Sequence, residues 1–123
     1  MIVHLVLFSP RPDLSDTERR ALVAALERAC SDIPRIRRAR VGRRRVLGYE
    51  YDTLSPVAFE FSAMLEFDSE SDLAAYLDHP AHAELGRLFC TSARAAIAHD
   101  FEVVDPASAG AVARLAGLDQ HRR

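Results

Sequence analysis

The sequence predicts one α+β domain whose elements follow the chain order β-α-β-β-α-β, with a mostly antiparallel sheet. Three observations lead to this prediction. The chain has 123 residues, the size of a single domain. Residues 2–9 and 57–67 have the apolar or alternating patterns of strands. Residues 15–32 and 69–98 have apolar side chains at helical spacing.

Residues 2–9 predict the first strand, because they are β-branched or aromatic and stop before a proline. Successive side chains of a strand point to opposite faces. One face carries Ile2, His4, Val6 and Phe8, and the other carries Val3, Leu5 and Leu7. Both faces are apolar, so both need a cover. The helices of a small chain can cover one face. The sequence therefore predicts a homodimer in which a second copy covers the open sheet face.

Residues 15–32 predict the first helix. Ser15 and Glu18 have the spacing of a capping box, in which each side chain accepts a hydrogen bond from the other residue's backbone. The helix has one apolar stripe, which consists of Leu22, Ala25, Leu26, Ala29 and Cys30. Pro34 ends the helix, since proline cannot continue its interior.

The middle of the chain predicts two strands joined by a loop. Residues 36–48 form the first of these strands, and Gly48 with residues 52–56 predicts a turn or loop. Residues 57–67 alternate between apolar and polar side chains, which predicts a half-buried strand. Its apolar face consists of Phe59, Phe61, Ala63, Leu65 and Phe67.

Residues 69–98 predict two helical pieces that break at Pro80. The second piece is longer and includes Ile97 among its apolar positions. Residues 99–105 predict the last strand. This order is the split βαβ, ferredoxin-like arrangement, and two such sheets packed face to face form a dimeric α/β barrel.

The chain is predicted to divide into a domain and a tail. The domain spans residues 1–105, and the tail spans residues 106–123. Val112, Leu115 and Leu118 have loose helical spacing, so the tail is predicted to be a short docked helix or, at residues 120–123, disordered.

The composition disfavours several classes of protein. A net charge of −2 gives no overall attraction to nucleic acid or to an anionic membrane. All sixteen basic residues are arginine, so Schiff-base catalysis by lysine is excluded. No apolar run approaches the roughly 20 residues that cross a bilayer. The start of the chain lacks the flanks of a signal peptide. Cys30 and Cys90 are predicted to be small buried hydrophobic residues in a reducing cytoplasm.

Three segments together resemble the stress-responsive A/B barrel family, known as Dabb. The first is Val3-His4-Leu5-Val6-Leu7-Phe8. The second is residues 67–82, which contain the pattern Tyr-x-x-His-Pro-x-His, and the third is residues 99–102. The resemblance covers about residues 1–105. It implies a ferredoxin-like domain that dimerises into an α/β barrel.

The resemblance also implies candidate catalytic residues. One plant member, olivetolic acid cyclase, closes a linear polyketide thioester by an aldol reaction without a metal or organic cofactor. Its catalytic residues match His4, Tyr76 and His82 in type and motif position. Other members are stress-response proteins without an established reaction, and related ferredoxin-like dimers include cofactor-free monooxygenases. The prediction is a protein that binds a small hydrophobic or aromatic molecule. Cyclase chemistry, a non-catalytic stress-response role and monooxygenase chemistry remain open.

The three residues suit aldol chemistry on physical grounds. A histidine can take a proton from an activated carbon and return it, which makes His82 the candidate general base. The Tyr76 hydroxyl can donate to a carbonyl as enolate charge develops, and His4 can orient Tyr76 or bind a second carbonyl. Alternatively, all three are core residues with satisfied hydrogen bonds.

Two further groups of residues have competing interpretations. Residues 35–45 contain seven arginines, at Arg35, Arg37, Arg38, Arg40, Arg43, Arg44 and Arg45. They suit an anion site or an edge strand guarded by charge, and the lack of interleaved aromatic residues favours the edge strand. His79 and His82, with Glu84, form only a weak metal-ligand pattern, so no metal and no cofactor is predicted. His79 precedes proline and is interpreted as a structural residue that closes a helix end.

Overall fold

The sheet is built around the first strand. In the computed structural model, which describes residues 1–118, β1 (Ile2–Pro10) is central. It pairs antiparallel with β3 (Phe61–Phe67) on one side and β4 (Ala93–Glu102) on the other. β2 (Arg38–Arg43) pairs antiparallel with β3, so the strand order is β2-β3-β1-β4. The predicted ferredoxin-like α+β class is confirmed.

The helices begin and end where local signals place them. α1 (Asp16–Asp32) starts at Ser15, whose hydroxyl accepts from the Glu18 backbone while the Glu18 carboxylate accepts from the Ser15 backbone. The capping box is therefore complete. α2 (Glu70–Leu77) and α3 (Pro80–Ser92) are separate helices, as the proline predicts.

The helices cover one face of the sheet, which we call the inner face. α1 packs against α3, and the Arg28 guanidinium meets the Glu84 carboxylate at 2.6 Å across the pair. The buried core lies between helices and sheet and consists of Ala25, Ala29, Ile33, Leu65, Phe67, Leu73, Tyr76 and Leu85. Ala25 and Ala29 are almost fully buried, since their small side chains let the α1 backbone come close to its neighbours.

The opposite side of the sheet, which we call the outer face, carries none of the helices α1, α2 and α3. The strand register places Leu5 of β1 beside Met64 of β3 and His99 of β4, and Val3 beside Phe101. Met64 is 44% exposed and Phe101 is 47% exposed. The two apolar faces of β1 thus differ in cover, as the alternation of its side chains predicts.

β4 begins earlier than expected. Residues 93–98 were expected to continue a helix, with Ile97 on its apolar side, but they are strand, and Ile97 pairs with Leu7 of β1. The alanines of this segment favour a helix locally. The unpaired edge of β1 offers a backbone ladder along its whole length, and this tertiary pairing overrides the local preference.

The two middle strands are shorter than expected. Strand predictions for residues 36–48 and 57–67 were too long, because pairing ends where the Arg44 backbone donates to the Glu60 carbonyl. Residues 44–60 form the connection between the strands and include a 3-10 helix at Glu50–Thr53. Cys90, expected to be buried, is exposed, because its helix position faces away from the core.

The tail contains one more short helix, α4 (Ala111–Leu115), which follows Gly110. Gly110 has a φ of 73°, in the left-handed region that favours glycine. Ala111 is buried. A division into domain and tail after residue 105 stays a prediction, and the expected disorder at residues 120–123 lies outside the described residues.

Candidate functional site

His4 lies on the inner face of β1 and is 8% exposed. The antiparallel register places it directly opposite Asp100 of β4, and the His4 Nδ1 atom lies 2.6 Å from the Asp100 Oδ1 atom. With Asp100 ionised, Nδ1 carries the hydrogen and donates it, because a carboxylate can only accept. The Nε2 atom of a neutral His4 is then the acceptor of the ring.

Tyr76 lies in the last turn of α2 and is 2% exposed. Its ring packs against that of Phe67, with centroids 5.4 Å apart. Burial and, to a smaller extent, the neighbouring Cys30 together raise the pKa of the Tyr76 hydroxyl to about 12. The hydroxyl therefore keeps its proton at neutral pH and can act as a hydrogen-bond donor.

His82 is brought to the site by the break between α2 and α3. Pro80 is the first residue of α3, and His79 is the cap before it, with its Nδ1 atom accepting from the Ala81 backbone N–H at 3.0 Å. His82 follows in the first turn, half-buried and directed towards α2. His79 therefore caps the start of α3 through its side chain, while its backbone N–H donates to the Tyr76 carbonyl at the end of α2, which agrees with a structural role at a helix end.

Tyr76 is adjacent to both histidines. Its ring centroid lies 4.7 Å from that of His82, edge-on, and 6.0 Å from that of His4. Burial lowers the pKa of the His82 imidazole, the Leu77 backbone opposes this, and His4 lowers it further. The three residues singled out by the sequence thus lie together on the inner face. Their predicted catalytic roles are taken up below as a proposal.

Asp100 is the site residue that the sequence analysis did not single out. It touches His4 only because β1 and β4 pair in one particular register. The signal in the sequence is an acidic residue in a strand that can pair with the strand of His4, because a carboxylate often orients a histidine ring. Using that signal requires knowing the register, which local patterns do not give.

The arrangement is suited to moving protons without a cofactor of its own. It combines an imidazole that is neutral at pH 7, a hydroxyl that stays protonated, and a second imidazole oriented by a carboxylate. Tyr76 belongs to the apolar core, and its ring packs against Phe67. Such a site can stabilise an enolate and return a proton to a nearby oxygen.

A family comparison decides the classification of the chain. The model of the stress responsive A/B barrel domain, Dabb, matches residues 2–103. The chain belongs to the Dabb family. The family resemblance of the three sequence segments is thereby confirmed, whereas the specific likeness to a polyketide cyclase stays a prediction.

Solved structures share the fold of this Dabb chain. A protein from Arabidopsis thaliana is 18% identical with a TM-score of 0.69, and the match covers 85% of this chain and 97% of that one. A hydroxynitrile lyase from Passiflora edulis is 14% identical with a TM-score of 0.71, covering 85% and 94%. A dimeric ferredoxin-like protein from Thermobifida fusca is 22% identical with a TM-score of 0.64, covering 83% and 90%. At these identities the likeness shows the fold alone.

No curated protein is similar enough in sequence to match this Dabb chain. Across residues 1–118, its helices are too short or too polar to cross a membrane. The same residues contain no group of three or more histidine, cysteine or acidic side chains placed to hold a metal ion. Glu84 pairs with Arg28, and His79 caps α3, so both partners in the weak metal pattern have other contacts.

The arginine-rich segment of this Dabb chain lies at the edge of the sheet. Among the described strands, β2 is at the edge of the sheet and has β3 as its one neighbour. Three arginines of the segment form ion pairs within the chain. The pairs are Arg35 with Asp72 at 2.5 Å, Arg37 with Asp68 at 3.4 Å, and Arg44 with Asp52 at 3.6 Å. The edge-strand interpretation accounts for this placement, since charge protects an edge from unwanted pairing.

Proposed function

We propose that this Dabb protein binds a small hydrophobic or aromatic molecule at the inner-face site and catalyses a cofactor-independent aldol cyclisation, as a polyketide cyclase does. The observation that carries the proposal is the position of Tyr76, whose ring contacts His82 edge-on and lies near His4. A hydroxyl donor and two imidazoles are groups that can serve enolate chemistry.

In the proposed reaction, neutral His82 removes a proton from the carbon beside a carbonyl. The electron pair forms an enolate, whose oxygen accepts a hydrogen bond from Tyr76. The enolate carbon attacks a second carbonyl of the same molecule, and the new alkoxide takes the proton back from His82. One C–H bond and the π bond of the attacked carbonyl break, while one C–C bond and one O–H bond form, so the step needs no oxidant or reductant.

The electrostatics of the site support these roles. A lowered pKa keeps the His82 imidazole neutral at pH 7, so it is ready to accept a proton. A raised pKa of about 12 keeps the Tyr76 hydroxyl protonated, so it donates instead of repelling the enolate. Both shifts arise chiefly from burial, which also strengthens each hydrogen bond to the substrate.

The contact with Asp100 refines the role of His4. A neutral His4 that donates from Nδ1 to Asp100 offers Nε2 as an acceptor, suited to orienting the Tyr76 hydroxyl. Donation from His4 to a second carbonyl requires protons on both ring nitrogens. We therefore assign His4 the orienting role ahead of the carbonyl-binding one.

The proposal includes a cytoplasmic homodimer formed through the outer face. Support comes from three exposed apolar side chains of the outer face, Met64, Ile97 and Phe101. An apolar sheet face of this kind is normally covered by another layer of protein. The dimeric relative from Thermobifida fusca has the same fold. The unpaired thiols of Cys30 and Cys90 favour the reducing cytoplasm.

The test is turnover on a panel of linear poly-β-keto thioesters and small aromatic acids, followed by mass spectrometry of cyclised products. We expect His82→Ala to lower kcat by about 10²–10⁴-fold and Tyr76→Phe by about 10²-fold or more. His121→Ala, which removes an imidazole outside the family match and outside residues 1–118, serves as the matched control and should keep full activity.

Three outcomes would overturn parts of the proposal. Full turnover by His82→Ala would remove His82 as the general base. No product and no ligand that raises the Tm would favour the alternative of a non-catalytic stress-response protein. Oxygen consumption on an aromatic substrate, without added metal or flavin, would favour the monooxygenase alternative.

A further inference from the structure

The connection between β2 and β3 is much longer than the turn the strands require. Adjacent antiparallel strands can be joined by two residues, and connections above about 12–15 residues are usually functional or disordered. Here the connection runs from residue 44 to residue 60. We call it the β2–β3 loop.

Contacts within the chain give the β2–β3 loop a defined shape. The Asp52 carboxylate accepts from the Gly48 backbone N–H at 2.9 Å and lies 3.6 Å from the Arg44 guanidinium. At the other end, the Ser9 hydroxyl donates to the Ala58 carbonyl and accepts from the Glu60 backbone. Both ends of the loop are therefore anchored, and its middle is folded on itself.

This ordered loop exposes an unusual amount of apolar surface. Its exposed side chains, which are 62–80% accessible, are Val46, Leu47, Tyr49, Tyr51 and Leu54. The rings of Tyr49 and Tyr51 are stacked, with centroids 5.9 Å apart and planes 18° apart. Single exposed apolar residues are ordinary, but a contiguous set on an ordered projection indicates an interaction surface.

The charges around the tyrosines indicate which partner fits. Glu50 lies between the two tyrosines in sequence, and exposed Arg43 and Arg45 precede the loop's apolar part. Acidic side chains beside the rings disfavour a nucleic acid backbone. A surface that carries both positive and negative charges can pack against its own copy across a twofold axis, so that the positive charges of one copy lie opposite the negative charges of the other.

The position of the loop suits a second copy as well. The last ladder pair before the loop is Arg43 opposite Phe61, on the inner face. In the pair before it, Gly42 lies opposite Ser62, which is opposite Leu7 of the outer face. The loop therefore leaves the sheet at an edge strand, one residue from the face on which the proposed homodimer is built.

We propose that the β2–β3 loop is an arm that packs its stacked tyrosines against a second copy of this chain. The inference rests on the homodimer of the proposed function and adds a second contact region to it. Burial of two stacked aromatic rings and their aliphatic neighbours supplies the kind of anchor that concentrates binding energy in an interface. The arm ties the two copies together beyond the contact of their sheets.

The experiment measures the dimer dissociation constant by sedimentation equilibrium for the full chain. A triple variant, Leu47→Ser, Tyr49→Ser and Tyr51→Ser, should raise this constant at least tenfold. A control variant, Val23→Ser and Leu115→Ser, removes two exposed apolar residues elsewhere and should change it less than twofold. Circular dichroism confirms that each variant is folded.

A second measurement keeps the test independent of the stability of the variants. In the wild-type protein, hydrogen exchange of the amides at residues 46–54 should slow as the concentration rises through the dissociation constant. Unchanged exchange there would overturn the inference even if a variant failed to fold.

The remaining outcomes separate this inference from the proposed homodimer. If the loop variant dimerises normally while Phe101→Glu is monomeric, the outer-face dimer stands and the arm is wrong. If the wild type is monomeric at all concentrations, both fall. If a single-stranded oligonucleotide slows exchange in the loop of dilute protein, the partner is a nucleic acid and the inference is overturned.

Discussion

The two faces of the sheet differ in burial and polarity, although both include side chains of the same strand, β1. On the inner face, His4 is 8% exposed and contacts Asp100 under the cover of the chain's own helices. On the outer face, the neighbouring Leu5 lies in a row with Met64 and His99, away from the helices α1, α2 and α3. One residue along β1 is enough to move from a buried histidine to the partly exposed apolar surface of the other face.

The two faces differ in the kind of side chain they carry and in what surrounds it. On the inner face, His4 contacts Asp100 and the Leu77 backbone hydrogen-bonds His82, while burial shifts the pKa values of Tyr76 and His82. The apolar groups of the outer face have water in place of partners, which is unfavourable in proportion to the exposed area. This difference is why the proposed chemistry is assigned to the inner face and the proposed dimer contact to the outer face.

The largest expected effect contrasts two adjacent residues of β3. Leu65 is almost fully buried on the inner face, and Met64 is 44% exposed on the outer face. We expect Leu65→Ala to lower the free energy of unfolding by about 2–5 kcal/mol, because it opens a cavity in the core. Met64→Ala should cost less than about 1 kcal/mol in dilute protein. Chemical denaturation measures both, and equal losses would contradict the assignment of the two faces.

An intermediate effect is expected at the contact between β1 and β4. Asp100→Ala leaves the His4 Nδ1–H without its acceptor, so we expect a loss of about 1–2 kcal/mol in the free energy of unfolding. The exposed Asp78, which makes no side-chain contact with a histidine, provides the matched control Asp78→Ala. NMR of the imidazole protons gives a second readout, since the His4 Nδ1–H signal should broaden or vanish only in Asp100→Ala. A signal that persists unchanged would contradict the orienting role.

The smallest expected effect concerns pH. Burial lowers the pKa of His82 in the folded protein below its ordinary value of about 6.5. As the pH falls through 6.5, the unfolded chain binds the proton first, so the folded state loses stability towards the folded-state pKa. Above about pH 7.5 the imidazole is neutral in both states and contributes no such difference. Denaturation of the wild type and of His82→Gln across this range should show the larger acid loss in the wild type. Identical acid losses would contradict the burial of a neutral imidazole.

The parts of the fold that depend on local signals could be predicted from the sequence. The alternation of β1, the Ser15–Glu18 capping box and the break at Pro80 all involve residues within a few positions of one another. The extent of β4 could not be predicted, because the alanines at residues 93–98 prefer a helix and only the free edge of β1 makes them a strand.

The candidate site shows the same division. His4, Tyr76 and His82 could be selected because their sequence pattern resembles the family, and their segments were placed in a strand and two helical pieces. Asp100 could not be selected, because its contact with His4 depends on the register of strands far apart in sequence. The full length of the loop at residues 44–60 could not be predicted for a related reason. Its β-branched and aromatic residues favour strands locally, but the strand pairing ends before them.

The central claim, that the inner-face cluster is a binding site for small molecules, is tested most directly by NMR titration. The wild-type protein is titrated with a panel of small aromatic acids and β-diketones while the side-chain signals of His4, Tyr76 and His82 are followed. We predict that at least one compound shifts all three sets of signals together, and that Tyr76→Phe weakens its binding about tenfold or more. Shifts confined to the outer face, or no shifts with any compound, would contradict the claim.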